Sequence, residues 1–142
     1  MRKPVEIIEG EKSLRLNLYI IVASYLLLII LIEPAIDLFL YFIFKEKTTM
    51  LIEQINQIKL VAASFIYTVI GLIPAFYASW FGYRVVASAK LPPVLHTGKI
   101  RFPFTVVVIK GKQAKMFGIL IITISLIVIF QLFVYLTKSI LI

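Results

Sequence analysis

The sequence lacks cysteine altogether and has a single histidine, His96. Without thiols the chain cannot form disulfide bonds, Cys-ligated zinc sites, iron–sulfur clusters or palmitoyl anchors. A haem in a membrane bundle needs axial His or Met ligands from within the spans, whereas His96 lies in a polar stretch. We therefore expect neither a metal nor a cofactor.

The motifs of catalysis are lacking as well. The chain has no H-E-x-x-H, no G-x-S-x-G and no glycine-rich phosphate loop. Nucleophilic catalysis needs a nucleophile within reach of a base, and the Ser and Thr residues of the apolar runs have no His or Lys partner at the same depth. These absences predict that the protein is not an enzyme.

Apolar side chains are in excess: 61% of the 142 residues are hydrophobic and the mean hydropathy is +1.03. Soluble domains have about 45–50% apolar residues, and a chain this short could not bury so large a surplus in one core. The apolar runs 16–44, 60–83 and 116–138 predict an all-α integral membrane protein with three transmembrane helices in one unit. The run that follows the basic residues 1–15 is too long for a signal peptide, so we expect an uncleaved first span.

Basic residues are distributed unevenly along the chain. Residues 1–15 and 84–115 carry eleven of the 15 Lys and Arg, and the remaining four lie in 45–59 and at the C-terminal end. The positive-inside rule then places the N-terminus and 84–115 in the cytoplasm, and 45–59 and the C-terminus outside. We expect the inner (cytoplasmic) membrane of a bacterium, and the net charge of +8 reflects this topology rather than a nucleic-acid partner.

The two connecting segments differ in their predicted structure. In 45–59, apolar residues recur at helical spacing among polar ones, which predicts a short amphipathic helix on the outer surface. The segment 84–115 contains a β-branched run between Gly98 and Gly111 and is expected to be partly strand-like. Pro103 within that run indicates an edge strand or a bulge.

Glu33 and Asp37 form the first candidate site. They lie four residues apart, on one face of the predicted first span, beside Pro34. From Leu16 to Glu33 a helix rises roughly 26 Å, which places the pair near the outer edge of the membrane core. The pair either marks the interface, wetted by headgroup water or paired with Lys45 or a base of a partner, or forms an ion site or an inter-subunit salt bridge.

Pro34, Gly71 and Pro74 are candidate hinge residues because proline interrupts the hydrogen bonding of a helix. A broken helix at such positions is typical of transporters. The simpler interpretation is an ordinary packing kink, since Gly and Pro are common in membrane helices.

The cytoplasmic segment supplies the third candidate site, a surface that contacts lipid or a protein partner. Its bases suit anionic lipid headgroups or an acidic protein. Its exposed apolar side chains favour an unpaired strand edge to which a partner strand could add. The predicted contact residues are Arg84, Lys90, Lys99, Arg101, Phe102, Phe104, Lys110, Lys112 and Lys115.

These features predict a non-catalytic accessory subunit of a larger membrane complex. Its expected partners are other integral membrane subunits, which its helices pack against, and anionic lipid headgroups. The alternative is a small homo-oligomeric channel or transporter that uses Glu33 and Asp37. A holin-like lesion former is a third hypothesis, although the charged cytoplasmic tail usual in that class is missing.

Overall fold

The structure, a computed structural model, describes residues 4–44, 52–94 and 100–141. It contains the helices α1 (Lys12–Phe44), α2 (Ile52–Ser88) and α3 (Lys112–Leu141). Between and before them lie four short strands, β1 (Ile7–Ile8), β2 (Lys90–Leu91), β3 (Val106–Val107) and β4 (Ile109–Lys110). All three helices are long and apolar enough to cross a membrane, which confirms the predicted all-α membrane-like class.

Each helix extends beyond its apolar run. α2 has 37 residues and is therefore about 55 Å long, against about 30 Å for the hydrocarbon core. The amphipathic helix was expected to lead directly into the second span, and residues 52–59 are indeed helical and form the first two turns of α2; residues 45–51 lie outside the described ranges. No Pro or Gly separates the amphipathic turns from the span, so the helix continues without a break.

α2 and α3 pack against each other in antiparallel along their length. At one end the backbones touch: a Cβ added to Gly82 would lie 2.8 Å from the carbonyl oxygen of Gly118, and the reverse distance is also 2.8 Å. At the other end the hydroxyl oxygens of Ser64 and Ser139 are 2.7 Å apart. Small residues thus allow close approach over the whole pair, as is usual for membrane helices.

α1 is attached more sparsely. Its buried stripe, Ile32, Ile36 and Leu40, packs against partly buried residues that belong mostly to α2, namely Ala63, Ile66, Tyr67 and Ile70. Within the described residues, no Cα of α1 lies within 8 Å of a Cα of α3. The three helices therefore do not close into a bundle, and one side of the α1–α2 contact stays open.

The strands lie at one end of the helices, and we call them together with residues 100–105 the cap. β1 pairs with β3 in antiparallel, with Ile7 opposite Val107, and β2 pairs with β4, with Lys90 opposite Lys110. The predicted strand within 98–111 is therefore present in two short pieces. Residues 7–8 and 90–91 of the same chain pair with one edge of each piece, and since each sheet has two strands, the other edge has no strand partner within the described residues. We call residues 4–15, 84–94 and 100–115 the basic end.

Candidate functional site

Asp37 has its counter-ion within the chain. The ammonium of Lys59, in α2, lies 2.6 Å from the Asp37 carboxylate, and the two side chains are 37% and 57% exposed. Glu33, one turn earlier on α1, is exposed and acts electrostatically on the same ammonium. Lys59 therefore neutralises one of the two carboxylates, and the position of the pair relative to the membrane stays a prediction. The predicted pairing with Lys45 lies outside the described residues.

Lys59 was not assigned as that base by the sequence analysis, although a signal was available. Two antiparallel helices that are joined by a short connection place residues equidistant from its centre opposite each other. Asp37 and Lys59 are each eleven positions from residue 48, the centre of the connection 45–51. Since Lys59 was counted as part of an outer loop, this pairing was overlooked.

An open depression of about 550 Å³ lies beside the ion pair, lined by Asp37, Leu40, Tyr41, Phe44, Ile55, Asn56 and Lys59. It combines one cation with one carboxylate. In the ranges that the structure describes, no group of three or more His, Asp or Glu side chains is placed to hold a metal ion. The depression can therefore accommodate polar groups, but a cation would have to compete with Lys59 for Asp37.

Pro74 leaves one backbone carbonyl of α2 without its usual helical donor, and a side chain of another helix donates a hydrogen bond to it. Because proline has no N–H, the carbonyl of Ile70 loses its partner four residues on. The hydroxyl of Tyr25, in α1, donates to that carbonyl at 3.0 Å. Tyr25 was missed by the sequence analysis, although a tyrosine within an apolar run requires a polar partner.

The other predicted hinge residues also lie within continuous helices. Gly71 faces the side chain of Leu132, whose nearest carbon would be 3.1 Å from an added Cβ. Pro34 lies on the exposed side of α1, between the buried Ile32 and Ile36. These contacts favour the packing interpretation, and hinge motion stays a prediction.

At the basic end, two acids of the N-terminal segment hold two of the predicted contact residues. The guanidinium of Arg101 donates two hydrogen bonds to Glu11, from Nε to Oε1 at 2.9 Å and from Nη2 to Oε2 at 2.6 Å. The ammonium of Lys110 lies 2.5 Å from Glu6 Oε2. The hydrogen bond from Arg101 lowers the pKa of Glu11 below its ordinary value of 4.5, and that from Lys110 does the same to the pKa of Glu6.

Glu6 also resolves a conflict between like charges. Lys90 and Lys110 are directly opposite each other in the β2–β4 pair, an arrangement that destabilises a sheet. Glu6 binds Lys110, and the charge of Lys90 further lowers the pKa of the Glu6 carboxyl. The sequence analysis missed this role because residues 84–115 contain no acid and residues 1–15 were treated as a separate tail.

Aromatic side chains link the basic end to the first turns of α1. The rings of Phe102 and Phe104 are 6.4 Å apart, and Phe104 contacts Tyr19 of α1 with ring centroids 6.5 Å apart. Arg84 lies elsewhere, with its guanidinium 5.8 Å from the Trp80 ring. The predicted contact residues therefore fall into separate groups rather than one patch.

Two of the remaining predicted bases lie at the start of α3. Lys112 and Lys115, in the first turn of α3, are exposed, and within residues 4–44, 52–94 and 100–141 they form no side-chain hydrogen bond or ion pair. The same holds for Lys12 and Arg15 at the start of α1. The prediction for Lys99 lies outside the described residues, as does His96.

The two ends of the molecule differ in net charge. Counted along the sequence, segments 1–15 and 84–115 carry eleven bases and three acids, whereas the rest of the chain carries four bases and four acids. Segments 1–15 and 84–115 together therefore account for the net charge of +8, and the rest of the chain has no net charge. Neither α1 nor α3 has an acid in its first turn, although the helix dipole favours anions there.

Comparison with protein-family models, with curated proteins and with solved structures gives no match to this chain.

Proposed function

We propose that this protein is a non-catalytic accessory subunit of a larger membrane complex, in which α1 and α2 together bind a transmembrane helix of another subunit. The observation that carries this proposal is an open groove of about 430 Å³ between them. Almost all of its surface is nonpolar, and its lining residues are Leu28, Leu31, Ile32, Ala35, Ile36, Phe39, Leu40, Ile58, Ala62, Ile66 and Ile70.

A helix is the occupant that suits this groove. Apolar surface alone does not drive association in a bilayer, because lipid chains are as apolar as leucine side chains; close packing of small residues does. Ala35 on α1 and Ala62 on α2 both line the groove, and each allows a neighbouring backbone to approach. Since α1 does not reach α3, α1 can adjust to a partner without disturbing the α2–α3 pair.

The polar groups within the spans support a structural role rather than transport. The hydroxyls of Thr68, Thr123 and Ser125 each donate to the carbonyl four residues earlier on their own helix, at 2.7, 2.8 and 2.7 Å. The hydroxyls of Ser64 and Ser139 contact each other. The hydrogens of these hydroxyls are thus used within the protein, and Ser79 Oγ is the one buried hydroxyl of the described spans without a hydrogen-bond partner.

The channel hypothesis has less support. It requires Glu33 and Asp37 to line a water-filled interior between copies of the chain, whereas Asp37 is neutralised by Lys59. The double variant Glu33→Gln/Asp37→Asn separates the two hypotheses. It should abolish ion flux in reconstituted vesicles if the channel hypothesis is right, and it should leave partner binding intact if the accessory role is right.

The direct test is extraction of the tagged protein at its native level in a mild detergent, followed by native sizing and mass spectrometry. We expect a stoichiometric set of other membrane proteins to co-purify. The variant Ala35→Phe, which fills the groove, should reduce their recovery at least tenfold. Ala23→Phe is the matched control, because Ala23 is also exposed on α1 but does not line the groove.

A single species of this chain alone, either monomeric or a closed ring, would contradict the accessory role and bring Glu33 and Asp37 to the centre of the functional question. Equal loss of partners from the two alanine variants would instead show that α1 itself is involved but that the groove is not.

A further inference from the structure

Among the bases of the basic end that have no acidic ion-pair partner in the described residues, four lie at the starts of α1 and α3. Glu6 and Glu11 form ion pairs with Lys110 and Arg101, so they do not neutralise the bases at the starts of α1 and α3. Lys12 and Arg15 lie in the first turn of α1, and Lys112 and Lys115 lie in the first turn of α3. The two bases of each pair are three residues apart and therefore lie on one side of their helix. Within the described residues, no acidic side chain pairs with any of the four.

Aromatic residues fix the level of these cations relative to the membrane. Tyr19 follows Arg15 by one helical turn, and Trp80 precedes Arg84 by one turn on α2. Tyr and Trp concentrate where the hydrocarbon meets the headgroups. Bases one turn beyond them are therefore expected at the depth of lipid phosphates, and the Gly82–Gly118 contact places Lys115 of α3 close to the level of Arg84.

The cap itself reaches that level. Phe104 is exposed and contacts Tyr19, whose neighbours Leu16 and Ile20 are exposed apolar residues of the span. Phe104 is therefore continuous with the surface of α1 that faces lipid chains. A loop that projected away from the membrane could not make this contact with the second turn of the helix.

We propose that the basic end binds the phosphate groups of anionic phospholipids through Lys12, Arg15, Lys112 and Lys115, with Phe104 and Tyr19 packed against the adjoining acyl chains. The described residues of the basic end carry eight bases and three acids, and this surface lies beside the lipid-facing apolar surface. Anionic phospholipid is the partner that complements both properties. This binding is independent of the accessory role, because it does not use the α1–α2 groove.

Topology alone does not require this arrangement. The positive-inside rule is satisfied by bases anywhere in short segments near the span ends, and it predicts no affinity for a particular headgroup. Lipid binding predicts a measurable preference for anionic over zwitterionic lipid. Each base near an anionic surface should contribute about fivefold, the equivalent of about 1 kcal/mol.

The test uses the full chain in nanodiscs that contain equal amounts of phosphatidylglycerol and phosphatidylcholine with the same acyl chains. Lipids that remain bound after mild detergent extraction are counted by native mass spectrometry. We expect phosphatidylglycerol to be retained at least tenfold over phosphatidylcholine. The preference should fall when the salt concentration rises above about 0.5 M, because salt screens exposed charges.

Substitutions of individual bases test which residues bind the lipid phosphates. Replacing the four bases by Gln should remove the preference, and the charge-conserving variant Lys12→Arg/Lys112→Arg/Lys115→Arg should retain it. Within one helix, Lys115→Gln should weaken the preference about fivefold, whereas Lys138→Gln, at the other end of α3, should not change it. Since the chain has no cysteine, one cysteine introduced at Ser13 reports whether each variant is inserted in the native orientation.

Equal retention of the two lipids by the native protein would overturn the proposal and leave the charge with a topological role only. An equal effect of Lys115→Gln and Lys138→Gln would overturn it as well. Binding of polyglutamate that is lost in the four-base variant, without any lipid preference, would assign the surface to an acidic protein instead, with the exposed Ile7 and Val107 as its apolar contacts.

Discussion

The α2–α3 pair and the α1–α2 pair are held together by different means. In the first, glycine backbones touch at Gly82 and Gly118 and hydroxyls meet at Ser64 and Ser139, so the packing is fixed at both ends. In the second, one stripe of three residues and the hydrogen bond from Tyr25 make the contact. The comparison indicates a rigid hairpin that carries a more loosely attached helix.

The largest effect should come from breaking the rigid pair. Gly82→Leu would place a side chain where even a Cβ lies 2.8 Å from a backbone oxygen that cannot move aside easily. We expect a loss above about 3 kcal/mol, or failure to fold, since overpacking usually costs 1–3 kcal/mol when neighbours can yield. Thermal unfolding in detergent measures it.

Gly71→Ala is the control for that substitution. Its Cβ would meet only the flexible end of Leu132, and we expect a loss below about 1 kcal/mol. A similar loss in both variants would show that the Gly82–Gly118 contact is not tighter than the rest of the interface.

A moderate effect should follow from removing the link between α1 and α2. Tyr25→Phe deletes the donor to the Ile70 carbonyl, and hydrogen bonds between membrane helices average about 0.6 kcal/mol. In a Pro74→Ala background, residue 74 again offers an N–H to that carbonyl, so the same change should cost almost nothing. Equal costs in the two backgrounds, measured by a double-mutant cycle, would refute the role assigned to Tyr25.

A third effect should be confined to the basic end and should depend on pH. The folded-state pKa values of Glu6 and Glu11 are lowered below 4.5 by their basic partners. The two ion pairs therefore stabilise the cap fully above pH 4.5, and this contribution is lost as the pH falls through the lowered values.

Hydrogen exchange, corrected for its intrinsic pH dependence, tests this at the Val108 amide, which donates to the Glu6 carbonyl. We expect its protection to fall below about pH 4. At pH 7 the double variant Glu6→Gln/Glu11→Gln should already show the loss, and Glu9→Gln, on the exposed face of the same segment, should not. Unchanged protection in the double variant would mean that backbone pairing alone holds the cap.

The smallest effect is expected at Asp37. Its ion pair with Lys59 is exposed on both sides, and such pairs contribute about 0.2–1 kcal/mol. Asp37→Asn should therefore shift the unfolding temperature by only a few degrees at most, and Glu33→Gln by less. A loss comparable with that of Gly82→Leu would contradict the view that the carboxylates mark an interface.

The sequence predicted the three spans and the position of the strand-like segment, because hydropathy and β-branched runs are local signals. It predicted that the amphipathic helix leads directly into the second span, as residues 52–59 do, but an amphipathic pattern does not decide whether those turns lie on the membrane surface or continue the axis of the span. The pairing of β3 with β1 could not be predicted from the sequence either. A two-residue strand such as Ile7–Ile8 carries no recognisable period of its own.

The candidate sites were located in part. Glu33 and Asp37 stood out because carboxylates are rare in apolar runs, whereas Lys59 was hidden by its assignment to a loop. Tyr25 became meaningful only when the structure placed it beside the carbonyl that Pro74 leaves free. Partners across helices depend on which turns face each other, and no local pattern determines that.

The pairing of Ile7 with Val107 also sets an order of events during biosynthesis. The first strand leaves the ribosome a hundred residues before its partner, and at about 5–20 residues per second this delay lasts roughly 5–20 s. During that time α1 and α2 are made, while the N-terminal segment has no strand to pair with. The cap can close only after Val107 has emerged, so α1 and α2 precede it in the order of assembly.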